Sequence, residues 1–298
     1  MAGRSKTLPK QALFPAAATI ASRDNRWLKR FRMALSGERG DDGLVGVEGA
    51  RLVEAAIGSL LHVEALLVSD SGERHLKRVA SILPPGVQTL RTSDKLFAGI
   101  ADTQTPQGIA ALVRPAETTV SSLVTRAGLI VMLAGVQDPG NVGTILRAAE
   151  AFGATGAAAC SAGSIGTADP FGPKALRASA GSALRMPLVR GLAAGDLLAK
   201  FRGAGVKLHA AVAASDEAER GQAGLPLRRP WEIEWKLPAA LLIGNEGSGL
   251  PDDIVKLCDV RVWIPQVAGA TPIGVESLNA AMAATVLVYE AMRQRELS

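Results

Sequence analysis

The chain has 298 residues and a mass of 30.8 kDa, with 48% hydrophobic and 20% charged residues, enough apolar material for one large or two ordinary domains, which excludes disorder as its main state. Thirty-three Lys and Arg against 28 Asp and Glu give a net charge of +5 and a pI near 9.5, a balance that suits a polyanionic partner such as RNA or DNA. Aromatic residues are only 4%, with a single Tyr, so a platform that stacks single-stranded bases has little to be built from and phosphate contacts should dominate.

At the N-terminus, Arg4, Lys6 and Lys10 precede an alanine-rich stretch interrupted by Pro15, and residues 1–22 read as a disordered basic tail rather than a secretory signal. RDNRWLKRFR follows. It sets Trp27, Leu28 and Phe31 on one helical face among Arg23, Arg26, Lys29, Arg30 and Arg32, which suits either a solvated face or an RNA contact. Strand and helix patterns then alternate through LVGVEG, RLVEAAIGSL, VEALLVS, ERHLKRVASIL, VQTLRT, SDKLFAGIA and GIAALVR, so residues 23–113 form an α/β domain able to bury its own core. A Ser/Thr/Pro-rich stretch from Arg114 marks a linker over residues 114–127. Beyond it, residues 128–298 run GLIVMLAG strand, NVGTILRAAEAFGA helix, GAAAC strand, PKALRASAGSAL and GDLLAKFRGAG helices and VKLHAAVA and PAALLIGNE strands. PDDIVKLC helix, DVRVWIP strand and a last helix from about Ser277 to Arg295 complete it. That order predicts an α/β domain with a mainly parallel sheet and ligands at the carboxyl ends of its strands.

Cys160 and Cys258 have no CxxC partner and His62, His75 and His209 are scattered, so no metal site or disulfide framework is indicated and a reducing cytoplasm is the expected compartment. The longest apolar run, Leu278–Met292, is interrupted by Asn279 and Glu290 and is too short to span a membrane.

Three loops could carry chemistry. In DPGNVGTILR, Asn141 can cap a helix, Gly143 permits close backbone approach, and Arg147, among apolar neighbours, needs an anionic partner such as carboxylate or phosphate. In LLIGNEGSGLPDD, Gly244, Gly247 and Gly249 precede a helix as in a phosphate-cradling loop. Their order is not that of a dinucleotide or P-loop motif, and Glu246 would repel a pyrophosphate, so a ligand with positive or hydrogen-bonding groups fits better. In IPQVAGATPIGVESLNAAMAA, Ser277 is a plausible N-cap and Asn279 a first-turn residue in need of partners.

Together these segments resemble the SpoU (TrmH) family of RNA 2'-O-ribose methyltransferases. NVGTILRAAEAFGA is similar to the family's first motif, LLIGNEGSGL to its second, IP followed by ESLNAAMAA to its third, and DPFGPKALRASAGSALRMPL to an intermediate segment with an Arg-Ala-Ser-x-Gly core at Arg177–Gly181. The likeness covers residues 128–295 and, more loosely, 23–113, which look like a substrate-binding domain. It implies a SPOUT fold: a parallel sheet with a deep trefoil knot, S-adenosylmethionine in the knot and a homodimer as the working unit. By motif position, Gly244, Asn245, Gly247, Ile264, Pro265, Ser277 and Leu278 would contact the cofactor. Asn141, Arg147, Glu246, Ser277 and Asn279 would form the catalytic set, with Arg177 and the basic helix on RNA. The span between Pro265 and Ser277, with its VAGATPIGVE, is longer than is common in the family.

Arg147 is the family's proposed base, but a guanidinium with a pKa above ~12 is a poor proton acceptor. The expected role is to hold the target phosphate and to stabilise charge developing on the 2'-oxygen, while Glu246 orients Asn141 or Arg147. Large-subunit ribosomal RNA is the expected substrate. Transfer RNA and a non-catalytic RNA-binding role are the alternatives, and a Rossmann enzyme lacks its acidic residue because Asp259 lies at the wrong distance.

Overall fold

A computed structural model describes residues 18–59, 61–124, 128–213, 224–266 and 277–296, the side chain of Lys77 excepted. The expected tail over residues 1–17 and the long span 267–276 lie outside the described residues. The chain divides into two compact units, Met1–Arg114 and Pro115–Ser298.

The first unit is built on five strands, β1 (Ala18–Ile20), β2 (Val45–Glu48), β3 (His62–Ser69), β4 (Gln88–Thr92) and β5 (Ile109–Arg114), in the order β1-β4-β3-β5-β2. β5 runs antiparallel to both β2 and β3, and the other pairs are parallel. Four helices accompany them: α1 (Arg26–Leu35), α2 (Ala50–Gly58), α3 (Glu73–Ala80) and α4 (Asp94–Ala98). Leu28 and Phe31 seat α1 in the core as the sequence predicts, Leu35 joins them, and Trp27, expected on the same face, is only partly buried. β1 corrects the expected tail. Its residues pair in parallel with Leu90–Thr92, and Ile20 is buried, so residues 18–20 belong to the sheet rather than to the tail. Three residues between an alanine-rich stretch and a basic helix carry too short a pattern to read as a strand.

The second unit begins earlier than expected. α5 (Val120–Leu123) lies in the stretch read as a linker, yet Leu123 is fully buried in this unit's core and the Thr118 hydroxyl accepts a hydrogen bond from the Leu188 amide. The segment is therefore a clasp on the domain. Seven strands follow: β6 (Leu129–Ala134), β7 (Gly156–Ser161), β8 (Leu188–Ala193), β9 (Lys207–Val212), β10 (Leu227–Arg228), β11 (Ala239–Ile243) and β12 (Val260–Trp263). Their order is β10-β12-β9-β11-β6-β7-β8, and every described pairing is parallel. β6 and β11 are buried along their whole length, which is why they read as unbroken apolar runs. β8 and the two-residue β10 have no such signal; β8 exposes Arg190 and Gly191 at the sheet edge.

The helices of this unit are α6 (Pro139–Ala151), α7 (Pro173–Ser179), α8 (Ser182–Arg185), α9 (Ala194–Gly203), α10 (Asp252–Val255) and α11 (Ala280–Glu296). PKALRASAGSAL is two helices, not one, because Ala180 and Gly181 take positive φ of 49° and 87° and break the ladder. Gly143 permits close approach as expected, but to a helix: a Cβ there would lie 2.3 Å from the Ala175 carbonyl oxygen of α7. His209 is buried beside Trp235, and burial, opposed by Asp259, pulls its pKa down to about 4, so it is a neutral core residue. Burial likewise pushes both cysteine thiols up to about 12.

The chain leaves β6 towards β7 and β8 on one side of the sheet, while β11, on the other side of β6, adjoins β9. The loops after β6 and β11 thus part at a switch in strand order, where α/β sheets form their binding crevices. Ile243 is in register with Leu133, so the two loops leave the sheet at one level. Because Gly143 has no room for a side chain, Gly143→Ala should cost about 1–3 kcal/mol and lower the melting temperature by several degrees in calorimetry.

Candidate active site

The loop after β6 turns into α6 through Asp138, whose carboxylate accepts the Asn141 amide at 2.9 Å, with Pro139 at the first helical position. Asp138, not Asn141, is the N-cap, which releases the Asn141 side chain for other work. Glu246, in the loop after β11, reaches across. Its carboxylate accepts the Gln137 and Asp138 amides at 3.1 and 3.0 Å and the Asn141 Nδ2 at 2.9 Å. Burial alone would raise the Glu246 pKa, but the hydrogen bonds from Asn141, Gln137 and Asp138 outweigh it and hold the carboxyl below its ordinary range.

An ionised carboxylate only accepts, so Asn141 must turn Nδ2 towards Glu246 and Oδ1 away. That Oδ1 accepts from Asn279 Nδ2 at 3.1 Å. Asn279 Oδ1 in turn accepts the Ala281 and Met282 amides at 2.9 and 3.3 Å, making Asn279 the N-cap of α11 in place of the expected Ser277. Three side chains from three separate motifs therefore form one line of hydrogen bonds whose polarity is set at one end by a negative charge and at the other by a helix start. Asn245 ties the same loops: Nδ2 donates to the Gly135 carbonyl at 3.0 Å and Oδ1 accepts the Gly247 and Ser248 amides.

Beside this line lies a cleft of about 300 Å³. Gly244, Asn245, Glu246, Gly247, Ile264, Ser277 and Leu278 line it, bringing together all but one of the expected cofactor-contacting residues. Pro265 is the exception. Ile264 and Gln266 border the cleft and the residue between them does not. Ala213, Ser248, Ala280 and Ala283, all small, and the larger Leu287 also contribute, residues for which the sequence offered no signal beyond their place after strands or in α11. Glu246 is the one charged side chain in the described lining, and no Lys or Arg joins it. A positively charged ligand fits such a wall; a pyrophosphate does not.

Arg147 is exposed on α6 and makes no hydrogen bond or ion pair among the described residues. Its expected burial near the core is thus corrected: the neighbouring Ile145 and Leu146 turn inwards while position 147 turns out, as a helical period of 3.6 dictates. Arg177, in the last turn of α7, is exposed too. In the first unit, Arg26, Lys29 and Arg32 are exposed on α1 and Arg23 precedes that helix. Arg30 belongs to the structure instead. It bonds Asp42 at 2.9 Å and Glu64 at 3.4 Å and stacks over Trp27 at 4.7 Å, so its charge is engaged. Among the described residues no cluster of His, Cys, Asp and Glu could hold a metal.

Comparison with known proteins fits this geometry. Residues 128–289 match the SpoU rRNA Methylase family, and residues 31–111 match an MRM3-like substrate binding domain. The 23S rRNA (guanosine(2553)-2'-O)-methyltransferase RlmP of Bacillus subtilis is 32% identical over 91% of this chain and 97% of its own. The 23S rRNA (uridine(2479)-2'-O)-methyltransferase of Streptomyces viridochromogenes is 32% identical over 94% of each. Among solved structures, the SpoU methyltransferase AviRb of Streptomyces viridochromogenes in complex with AdoMet superposes with a TM-score of 0.73 at 28% identity, over 92% of this chain and 100% of that one. An AdoMet-bound rRNA methyltransferase from Sinorhizobium meliloti gives 0.74 at 27% identity, over 93% and 98%. The fold and cleft define an S-adenosylmethionine-dependent RNA 2'-O-ribose methyltransferase. Within that class, the chain belongs to the SpoU rRNA methylase family.

The ionised Glu246 stabilises the loop pair above the pH at which a free carboxyl titrates, ~4.3, and loses that effect only as pH falls through its own lower value. Glu246→Gln should therefore cut turnover at least ~10-fold at neutral pH, the loss of an orienting charge-assisted bond, without shifting either limb of the pH-rate profile between pH 6 and 9.

Proposed function

We propose that this protein methylates a ribose 2'-hydroxyl of large-subunit ribosomal RNA, in the cytoplasm and as a homodimer. The observation that carries the reading is the Glu246–Asn141–Asn279 line beside a cleft without cations, with Arg147 left unengaged on the helix that the line anchors. Relatives named as 23S rRNA methyltransferases, each about a third identical over nearly the whole chain, favour a ribosomal substrate over transfer RNA. The retained polar set argues against a non-catalytic binding protein.

Bound S-adenosylmethionine supplies an electrophilic methyl on a sulfonium. Gly244, Asn245, Gly247, Ile264, Ser277 and Leu278 would hold it, the small residues admitting the adenine and Glu246 favouring the positive charge. Asn141 and Asn279 would fix the acceptor side, so that the 2'-oxygen could attack the methyl in line as the C–S bond breaks and the neutral thioether leaves. Arg147 donates to the target phosphate and to the 2'-oxygen as negative charge develops there. It does not take the proton, which leaves to phosphate or water. We read the C-terminal segment as threaded into a trefoil knot; the parallel sheet and the return of α11 to the cleft support this, and part of the path, residues 267–276, lies outside the described residues.

The homodimer rests on α11. Met282, Val286 and Tyr289 are spaced i, i+4, i+7 and are exposed by 62%, 43% and 47%, a stripe wide enough to seat the same helix of a second copy. Met282→Glu with Tyr289→Glu should halve the mass seen by sedimentation equilibrium.

Ribose-methylation mapping of total RNA from cells with and without the protein tests the substrate: one added site in large-subunit RNA is expected. A site confined to transfer RNA would move the assignment there, and none at all would leave only binding. Arg147→Lys should lower kcat by ~100-fold or more, since the guanidinium fork is lost, while calorimetric affinity for S-adenosylmethionine stays unchanged.

A further inference from the structure

A second cation stands beside the start of α6, on a different helix from Arg147. Lys174, the second residue of α7, places Nζ 2.8 Å from Asp138 Oδ2. The two side chains remain 59% and 46% exposed, so the pair faces solvent rather than the core. An ion pair of this kind contributes little to stability.

Its surroundings suggest another purpose. Asp138 and Glu246 bring two carboxylates to one helix start: Glu246 accepts the Asp138 amide while Asp138 caps Asn141. Both are held ionised, Asp138 chiefly by the hydrogen bond from Lys174 and Glu246 by the bonds already described. An RNA chain approaching this end meets two negative charges, and a polyanion needs compensation there. An ammonium has three N–H donors, and Asp138 Oδ2 takes one of them. Two remain to point outwards, from a nitrogen whose position is fixed by the same carboxylate that fixes Asn141. The α6 and α7 backbones are locked together by the absence of a side chain at Gly143, so Lys174 keeps its place relative to Asn141 and Arg147.

We propose that Lys174 is a phosphate-binding residue for the RNA substrate: anchored by Asp138, it grips a backbone phosphate at or next to the acceptor nucleotide and so sets the distance of the 2'-hydroxyl from the cleft. The proposal rests on the RNA-methylating reading above and adds a specific contact to it. Asp138 acts through Lys174 and Asn141 and is a positioning residue. The phosphate contacted is an RNA phosphate; free phosphate lacks the other contacts and should not compete at millimolar concentration.

The test uses the full chain and a fragment of its own large-subunit RNA that spans the methylated site. Lys174→Gln should raise KM for RNA about tenfold with a smaller change in kcat, and leave calorimetric affinity for S-adenosylmethionine unchanged. The slope of log Kd for RNA against log salt should fall in magnitude by ~0.7–0.9, one phosphate contact. Lys174→Arg should restore most of the affinity and the slope. Asp138→Asn, which keeps a good cap, should raise KM severalfold with the slope retained. If Lys174→Gln leaves KM and the salt slope as in the wild type and depresses only kcat, Lys174 merely steadies the Asp138 cap and the proposal is overturned. A fall in melting temperature large enough to account for the loss would overturn it as well. The salt slope is a binding measurement, so it judges Lys174 even if methyl transfer were to fail, and failure of the two readings can be told apart.

Discussion

The carboxylate of Glu246 is the constraint on which the site depends. It arrives from one side of the sheet's switch point and accepts two backbone amides and one side-chain amide from the other side, closing the loops after β6 and β11 on each other. A neutral group could bridge the same gap, but only an acceptor-only group dictates which way Asn141 and then Asn279 must face. The order of atoms beside the cleft thus follows from one charge, and that charge persists because its hydrogen bonds outweigh its partial burial.

Much of this was legible in the residues. The buried strands β6 and β11 announce themselves as unbroken apolar runs, and the alternation of strand and helix gives a parallel sheet in the second unit. Gly143 as a point of close approach, and Glu246 as a charge unsuited to a pyrophosphate, also follow from residue type and place, while the orienting role of Glu246 came from the family resemblance. The first two motifs sit directly after β6 and β11, where an α/β fold gathers its loops, and the third runs from the end of β12 to the start of α11.

What was not legible has physical causes. Caps were misassigned by two or three residues because Asp138, Asn141, Ser277 and Asn279 are all competent cap residues, and the choice among them is made by tertiary partners. β1, β8 and β10 are short or edge strands whose stability comes from a neighbour rather than from their own pattern. The Ser/Thr/Pro-rich stretch looks like a linker by composition, yet one buried leucine, Leu123, is sufficient to fasten it to the core. Arg30 and Arg32 look alike in sequence; Asp42 and Glu64, distant along the chain, engage the first and not the second. Lys174 lay beyond reach for the same reason, since its partner is 36 residues away.

Asn279 has two employers: it terminates the amide line and it opens the first turn of α11. Fraying of that turn would therefore slacken a hydrogen bond at the reacting centre, and anything that steadies the helix far along its length would tighten it. The same helix carries its exposed apolar stripe from Met282 to Tyr289. One rod thus joins an outward apolar face to the hydrogen bond at its own start, so a load borne on the outer face is felt at the Asn141 amide.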